Sequence, residues 1–337
     1  MPDPRPFHTD RYLLGSSVDP ASLGIPALLL GWSDPSFTEA ARRQAEFLLH
    51  DCTRYVINST HSAISHRDEP PQAWGDFVYM VPPFLAYYGI ATQDITYLEE
   101  SVKQIVLYRD ILAGGITLSG GEQCHGLWRH IATEPTEACC TDPWIWTTSN
   151  AWVYAGTTRV LAAILKWQPF SERKIKKSDY EVFQASARRS LVGILSAMLR
   201  CHMAYPRDAG SHLIKNYVDG PEHESAQYAF GDTAGTAMIT AAIYRLAVLL
   251  PGDFATHDIM VWADANRKAV AKHVNSAGKV SPVADVLAVP CKVAAEQTSE
   301  GQSMAILMYS AYRDCVQAGV CSSVRPWWSQ ITLSSFW

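Results

Sequence analysis

The chain has 337 residues, 48% of them hydrophobic and only 18% charged, with a net charge of −5. Such low charge density suits one large domain with a sizeable core, expected to span 1–337 with 1–33 as an N-terminal extension. No Lys/Arg block marks a nucleic-acid partner, no run reaches the roughly 18 to 20 apolar residues of a membrane span, and MPDPRPFHTDRYLL lacks the apolar stretch of a signal peptide, so a cytoplasmic protein without membrane or nucleic-acid partners is expected.

Helical periodicity dominates from Phe37 onward. A first helix is predicted over Phe37–Leu49, capped by Ser33 or Asp34 with Pro35 in its first turn. Four later segments resemble one another: GDFVYMVPPFLAYYGI from Gly75, SNAWVYAGTTRVLAAI from Ser149, GDTAGTAMITAAIYRLAVL from Gly231 and SEGQSMAILMYSAYRDC from Ser299. Each opens on a small or polar turn and then runs apolar nearly all round, the pattern of a helix buried on both sides. Pro82 and Pro83 predict a helix start or kink in the first of them. Between these runs lie amphipathic helices over Tyr97–Leu112, Tyr180–Leu199 and Ile259–Val274. Gly114-Gly115 and Gly120-Gly121 around ITLS predict a turn with short strands rather than a phosphate loop. Recurrence of the buried class roughly every 70 to 80 residues points to a ring of helical hairpins, inner helices around an axis and amphipathic ones outside. The absence of strands alternating with these helices argues against a doubly wound sheet.

The eight cysteines, at 52, 124, 139, 140, 201, 291, 315 and 321, form no CxxC pair, and they are read as mostly buried or idle thiols of a reducing compartment. HExxH, GxSxG and DxDxDG motifs are all missing, so neither a metal nor a cofactor is expected.

Chemistry concentrates in HGLWRHIATEPTEACCTDPWIWTTSNAW, His125–Trp152. It combines His125 and His130 with Trp128, Trp144, Trp146 and Trp152, and adds Glu134, Glu137, Asp142 and Asn150. Indole faces offer platforms for sugar rings or other flat ligands. Acids also open the buried helices: Asp76 in AWGDFVYM, Asp232 in YAFGDTAGTAM and Glu300 in TSEGQSM. Acids in such places often only cap a helix, but in a ring of hairpins these starts converge at one end and permit general acid–base work. His223, in DGPEHESAQ, is placed to join them.

Over Trp74–Cys315 these segments resemble the unsaturated glucuronyl and rhamnogalacturonyl hydrolases, glycoside hydrolase families 88 and 105 of the six-hairpin superfamily. Trp74, Asp76, Met80 and Pro83-Phe84-Leu85 look like that family's Trp, Asp, Met, Pro-Phe-Leu segment. GLWRH at Gly126–His130 looks like its Gly-Leu-aromatic-x-His, and Trp146, Asn150 and Trp152 fit its Trp-x-Arg-Gly-Asn-Gly-Trp. Gly235-Thr236-Ala237-Met238 fit the end of its Glu-Ser-Ser-Gly-Thr-Ala-Met, with Asp232 at the Glu. The resemblance implies an all-α (α/α)6 barrel. It also implies protonation of the C4=C5 double bond of an unsaturated uronic acid, with water adding at C5.

The resemblance breaks at functional positions. The family's acid–base Asp belongs in an aromatic-Asp-Glu triplet that here reads Ala132-Thr133-Glu134. Thr148 replaces the motif's Arg, and Phe77 replaces the second Asp of an Asp-Asp pair. One reading is a divergent hydrolase acting on a small molecule, with Asp76, His130, Glu134 and Asp142 as catalytic candidates. Trp74, Tyr79, His125, Trp128, Thr133, Trp146, Asn150, Trp152, His223 and Asp232 are then candidate substrate contacts. The alternative is the same barrel turned to dehydration, isomerisation or cyclisation of a secondary metabolite. A third is a non-catalytic sugar-binding remnant. Oligomeric state is not legible.

Overall fold

The computed structural model describes residues 16–134, 141–169, 175–219, 230–286, 294–295 and 298–321. A 3-10 turn, Asp19–Leu23, leads into α1 (Gly24–Leu30), and both pack on the later helix Phe77–Thr92. Next comes α2 (Pro35–Glu46). Asp34 accepts from Ser36 N at its start, and a wide π turn, Phe47–Asp51, ends it. Two short strands, β1 (Arg54–Val56) and β2 (Ser62–Ile64), form an antiparallel ribbon. Then β3 (Gln72–Trp74) delivers the chain to α3 (Phe77–Thr92).

The inner series is α3, α5 (Thr147–Lys166), α7 (Thr233–Leu249) and α10 (Ser299–Gln317), each packed on the next. The outer series is α4 (Ile95–Ile111) against α3, α6 (Lys177–Ala204) against α5, and α9 (His257–Lys272) against α7; a single turn, α8 (Pro251–Phe254), precedes α9. This alternation is the one that the hydrophobic pattern predicts. Helices α3, α5 and α7 are buried around nearly their whole circumference. In α10 the expectation fails. It buries Gly301, Met304, Ala305, Met308, Ala311 and Cys315 on one face, while Ile306, Leu307 and Tyr309 stand exposed. It has α7 on one side and, among the described residues, no comparable partner on the other.

The remaining strands are short two-stranded ribbons, consistent with an all-α barrel: β4 (Ala113–Thr117) with β5 (Gln123–Trp128), β3 with β6 (Ile131–Thr133), and β7 (Val283–Ala284) with β8 (Ala294–Ala295). Among the described residues no helix is long and apolar enough to cross a membrane.

Two expectations are corrected. Pro82 and Pro83 do not start α3; both lie buried inside it. A proline removes the N–H that would bond the carbonyl one turn back, here that of Val78 for Pro82. Gly156 of α5 packs on that carbonyl so closely that a Cβ would lie 2.0 Å from the Val78 oxygen. The thiols are not all idle either. Cys124 on β5 is bonded to Cys201 on α6, and Cys315 to Cys321. Linear spacing hides the first pair, 77 residues apart, because it is the packing of α6 on β5 that brings the sulfurs together. Gly126, at φ +153, allows that approach: a Cβ there would meet the Ala197 carbonyl carbon at 2.7 Å. Cys52 is a buried free thiol, and Cys139, Cys140 and Cys291 lie outside the described residues.

Candidate active site

The starts of the inner helices converge, as the sequence expects, but their acids do different jobs. Asp232 is an N-cap. It is fully buried, and its carboxylate accepts from Ala234 N, Gly235 N (2.8 Å), Ala284 N and Thr148 Oγ1 (2.6 Å). Burial pushes its carboxyl up despite these donors. Thr148, standing where the family pattern has Arg, is thus a buried prop for Asp232.

Asp76 precedes α3 but caps nothing. Its Oδ2 accepts from Ser149 Oγ at 3.1 Å and lies 3.7 Å from His130 Nε2. Gly75 makes this closeness possible, since a Cβ there would fall 2.2 Å from Ser149 Oγ. Gly75 N also donates to the His130 carbonyl, which fixes Asp76 and His130 side by side.

His130 is 1% exposed, and its ring is set from behind. Its Nδ1 lies 2.8 Å from Asp142 Oδ2, which also accepts from the Tyr217 hydroxyl. Asp142 is equally buried. An ionised carboxylate only accepts, so Nδ1 carries a proton toward Asp142. Nε2 then faces Asp76 and, among the described residues, has no hydrogen-bond partner. Trp146 (4.6 Å) and Trp74 (5.3 Å, edge-on) wall the imidazole.

Trp74 stacks in turn on His66 at 4.9 Å, and Arg67 sits over its ring at 4.7 Å. Burial holds both His66 and Arg67 below their usual ranges, with Asp19 and Asp76 opposing that. Across the site, Trp152 packs on Tyr79 at 4.7 Å. Glu300 lies in the first turn of α10. The Glu300 carboxyl is pushed up to about 8, first by burial and then by the charges of Asp76 and Asp232.

Other candidates are placed elsewhere or engaged. Asn150 is fully buried; its Oδ1 accepts from Trp128 N (2.9 Å) and its Nδ2 donates to the carbonyls of Trp128 (2.8 Å) and Trp146 (3.0 Å). Trp128 is core, and the Trp146 indole N–H is held by Asn216. Glu134 reaches the far ribbon, where Oε1 accepts from Val56 N at 2.7 Å. Thr133 is buried in β6, and its carbonyl accepts from Tyr55. His125 is exposed on the β4–β5 hairpin beside Gly115. His223 lies outside the described residues. Sequence reasoning gave no site role to Ser149, which stands at a Gly position of the Trp146–Trp152 motif, nor to Tyr217 or Arg67, which stand in none. Glu300 it saw as one helix-opening acid; its place among the others depends on how α10 meets α7. Among the described residues no cluster of His, Cys, Asp and Glu is suited to a metal ion.

Residues 28–308 match Glycosyl Hydrolase Family 88. No curated protein matches the chain. Among solved structures it is similar to a glycoside hydrolase of family 105 from C. acetobutylicum, with a TM-score of 0.68, 15% identity, and 92% of this chain and 84% of that one covered. It is also similar to a possible member of the GH105 family from Salmonella enterica serovar Paratyphi A, with a TM-score of 0.65, 19% identity, and 86% and 70% covered. A third is the unsaturated glucuronyl hydrolase of Bacillus sp. GL1, responsible for the degradation of glycosaminoglycan, with a TM-score of 0.55, 13% identity, and 88% and 75% covered. The fold is the (α/α)6 barrel of the unsaturated glucuronyl hydrolases. This chain is an enzyme and belongs to Glycosyl Hydrolase Family 88.

Proposed function

We propose that the protein is a divergent hydrolase that adds water to a small unsaturated sugar derivative by acid–base chemistry among Asp76, His130 and their neighbours. One observation carries the reading: a buried imidazole, oriented by Asp142 and Tyr217, turns an unpartnered Nε2 toward Asp76 3.7 Å away. A base held in one tautomer by a second carboxylate, beside a carboxylate that caps nothing, is an arrangement for moving protons rather than for holding the fold. The family supplies the substrate class, a sugar with a C4=C5 double bond; Trp74 and Trp152 are platforms for its ring. With Thr148 engaged by Asp232, no cation stands at the family's Arg position, so selectivity for a sugar carboxylate is weak and neutral analogues are accepted.

Unsaturated uronyl disaccharides and their methyl esters test the proposal, turnover being followed as loss of ultraviolet absorbance. Turnover by the folded protein, abolished in Asp76→Asn, is the expected result. A folded protein that turns over none of these compounds overturns the assignment.

A further inference from the structure

We infer that Arg67 holds an oxyanion, a sulfate ester or a carboxylate, carried by the leaving group of the substrate rather than by the unsaturated ring. The inference rests on the acid–base reading above and narrows its substrate class.

Arg67 stands in the loop before β3, and its backbone is pinned on both sides by pairing with Ser16 and with Gln72. The Ser65 hydroxyl also donates to its carbonyl at 2.6 Å. From this fixed root the side chain lies against Trp74, with Cζ 4.7 Å over the ring. A guanidinium so placed lays its face on the indole and keeps its N–H edges for hydrogen bonds. Those edges are unused. Among the described residues the side chain makes no ion pair and no hydrogen bond, and Nε is buried without a partner. Arg267 shows the ordinary alternative: it lies 4.1 Å over Tyr312 and pairs with Asp264.

Two carboxylates act on Arg67, and both are engaged elsewhere. Asp19 Oδ1 lies 3.7 Å from His66 Nε2, and Asp76 Oδ2 accepts from Ser149 and faces His130. Burial pushes the guanidinium down from its usual range, and these two charges oppose the shift without pairing with it. Arginine stays protonated at any working pH, so a half-buried positive charge stands here with no counter-ion among the described residues. Such a charge is costly until it is paired and hydrogen-bonded. An oxyanion across the terminal nitrogens gives it both, in the two-pronged geometry that guanidinium prefers.

Position decides which group of the substrate that is. The indole that carries Arg67 also meets the His130 imidazole at 5.3 Å. One indole, about the width of a sugar ring, thus separates the guanidinium from the His130–Asp76 pair. The family's Arg position is on a different element, at Thr148 in the first turn of α5, beside the Ser149 that touches Asp76. An oxyanion at Arg67 therefore belongs to the residue next to the ring that reacts. Weak selectivity at C5 and a charged leaving group are compatible in this way.

Two readouts test Arg67, one independent of substrate. Inorganic sulfate, titrated at constant ionic strength, is expected to shift the nitrogen-15 Nε resonance of Arg67 to saturation, the resonance being identified by its absence from Arg67→Gln. A resonance that stays in place, or drifts without saturating, overturns the inference whether or not any sugar is turned over. For an active wild type, kcat/KM is compared for unsaturated uronyl disaccharides whose leaving sugar carries a sulfate ester, a carboxylate or neither. One of the charged compounds is expected to lead the neutral one by roughly 10-fold, and which one leads identifies the oxyanion. In Arg67→Gln that ratio should fall to near one, whereas a merely structural role would lower all three rates alike. Equal rates on all three compounds in the wild type, or a ratio that survives in Arg67→Gln, overturns the inference and leaves the Asp76 reading standing. Absent turnover with a saturable sulfate shift overturns the hydrolase reading and supports Arg67 as an oxyanion site.

Discussion

Two buried polar clusters lie within a few residues of each other around the start of α5, and they are built on opposite principles. Around Asn150 every side-chain polar atom is paired: one acceptor and two donor contacts tie it to the backbones of Trp128 and Trp146. Around Asp76 pairing is incomplete: among the described residues His130 Nε2 has no hydrogen bond. An unpaired buried donor or acceptor costs about 1 to 3 kcal/mol. The Asn150 cluster avoids that cost and holds the loops; the Asp76 cluster bears it and is available to a substrate. Burial alone does not separate structure from chemistry here, since His130 and Asn150 are both essentially inaccessible.

The contrast predicts different failures. The largest effect is expected for Asp76→Asn, which keeps the shape and the Ser149 contact but removes the charge. Turnover should fall by about 1,000-fold, near 4 kcal/mol of barrel-site function, with the urea midpoint unchanged. Next comes Asn150→Ala, which strands buried backbone groups of Trp128 and Trp146. It should lose about 3 kcal/mol in urea unfolding, while the molecules still folded keep their turnover. Cys124→Ser should cost about 2 to 3 kcal/mol by the same measurement, and a reductant, which also opens Cys315–Cys321, should bring the wild type down by at least that amount.

A further effect is one of pH. The Glu300 carboxyl rises from 4.5 to about 8 on folding. Between those values the folded chain binds the proton more tightly than the unfolded one, so its contribution to stability is present below 4.5 and is lost as pH rises toward 8. Glu300→Gln lacks this loss. It should melt like the wild type near pH 5 and a few degrees higher near pH 9. A wild-type melting temperature that rises relative to the variant over that range would contradict the burial of Glu300 beside Asp76 and Asp232.

Much of this was legible in the sequence, for physical reasons that differ by element. Helices α3, α5 and α7 announce themselves because burial on all sides demands apolar residues on all sides. α10 departs from them because its outward Ile306, Leu307 and Tyr309 look in sequence like another buried face. Asp76 and Asp232 share one motif position, a Gly-Asp before a helix, yet one caps and the other does not; that depends on where Ser149 and Thr148 fall on the neighbouring helix. Asp142 and His130 were singled out separately, but the hydrogen bond between them needs the loop to fold back through β6. The Cys124–Cys201 bond escaped for a like reason, as no local spacing encodes a contact between β5 and α6. Local chemistry is thus readable one residue at a time, whereas the division between clamp and reactive pair is a property of packing.

The most direct test of that division is turnover per folded molecule, measured side by side for Asp76→Asn and Asn150→Ala on an unsaturated uronyl disaccharide, with the folded fraction taken from unfolding curves in the same buffer. The predicted result is loss by about 1,000-fold in Asp76→Asn at full folding, and wild-type turnover per folded molecule in a destabilised Asn150→Ala. Equal losses per folded molecule in both variants, or wild-type turnover in a folded Asp76→Asn, would contradict it.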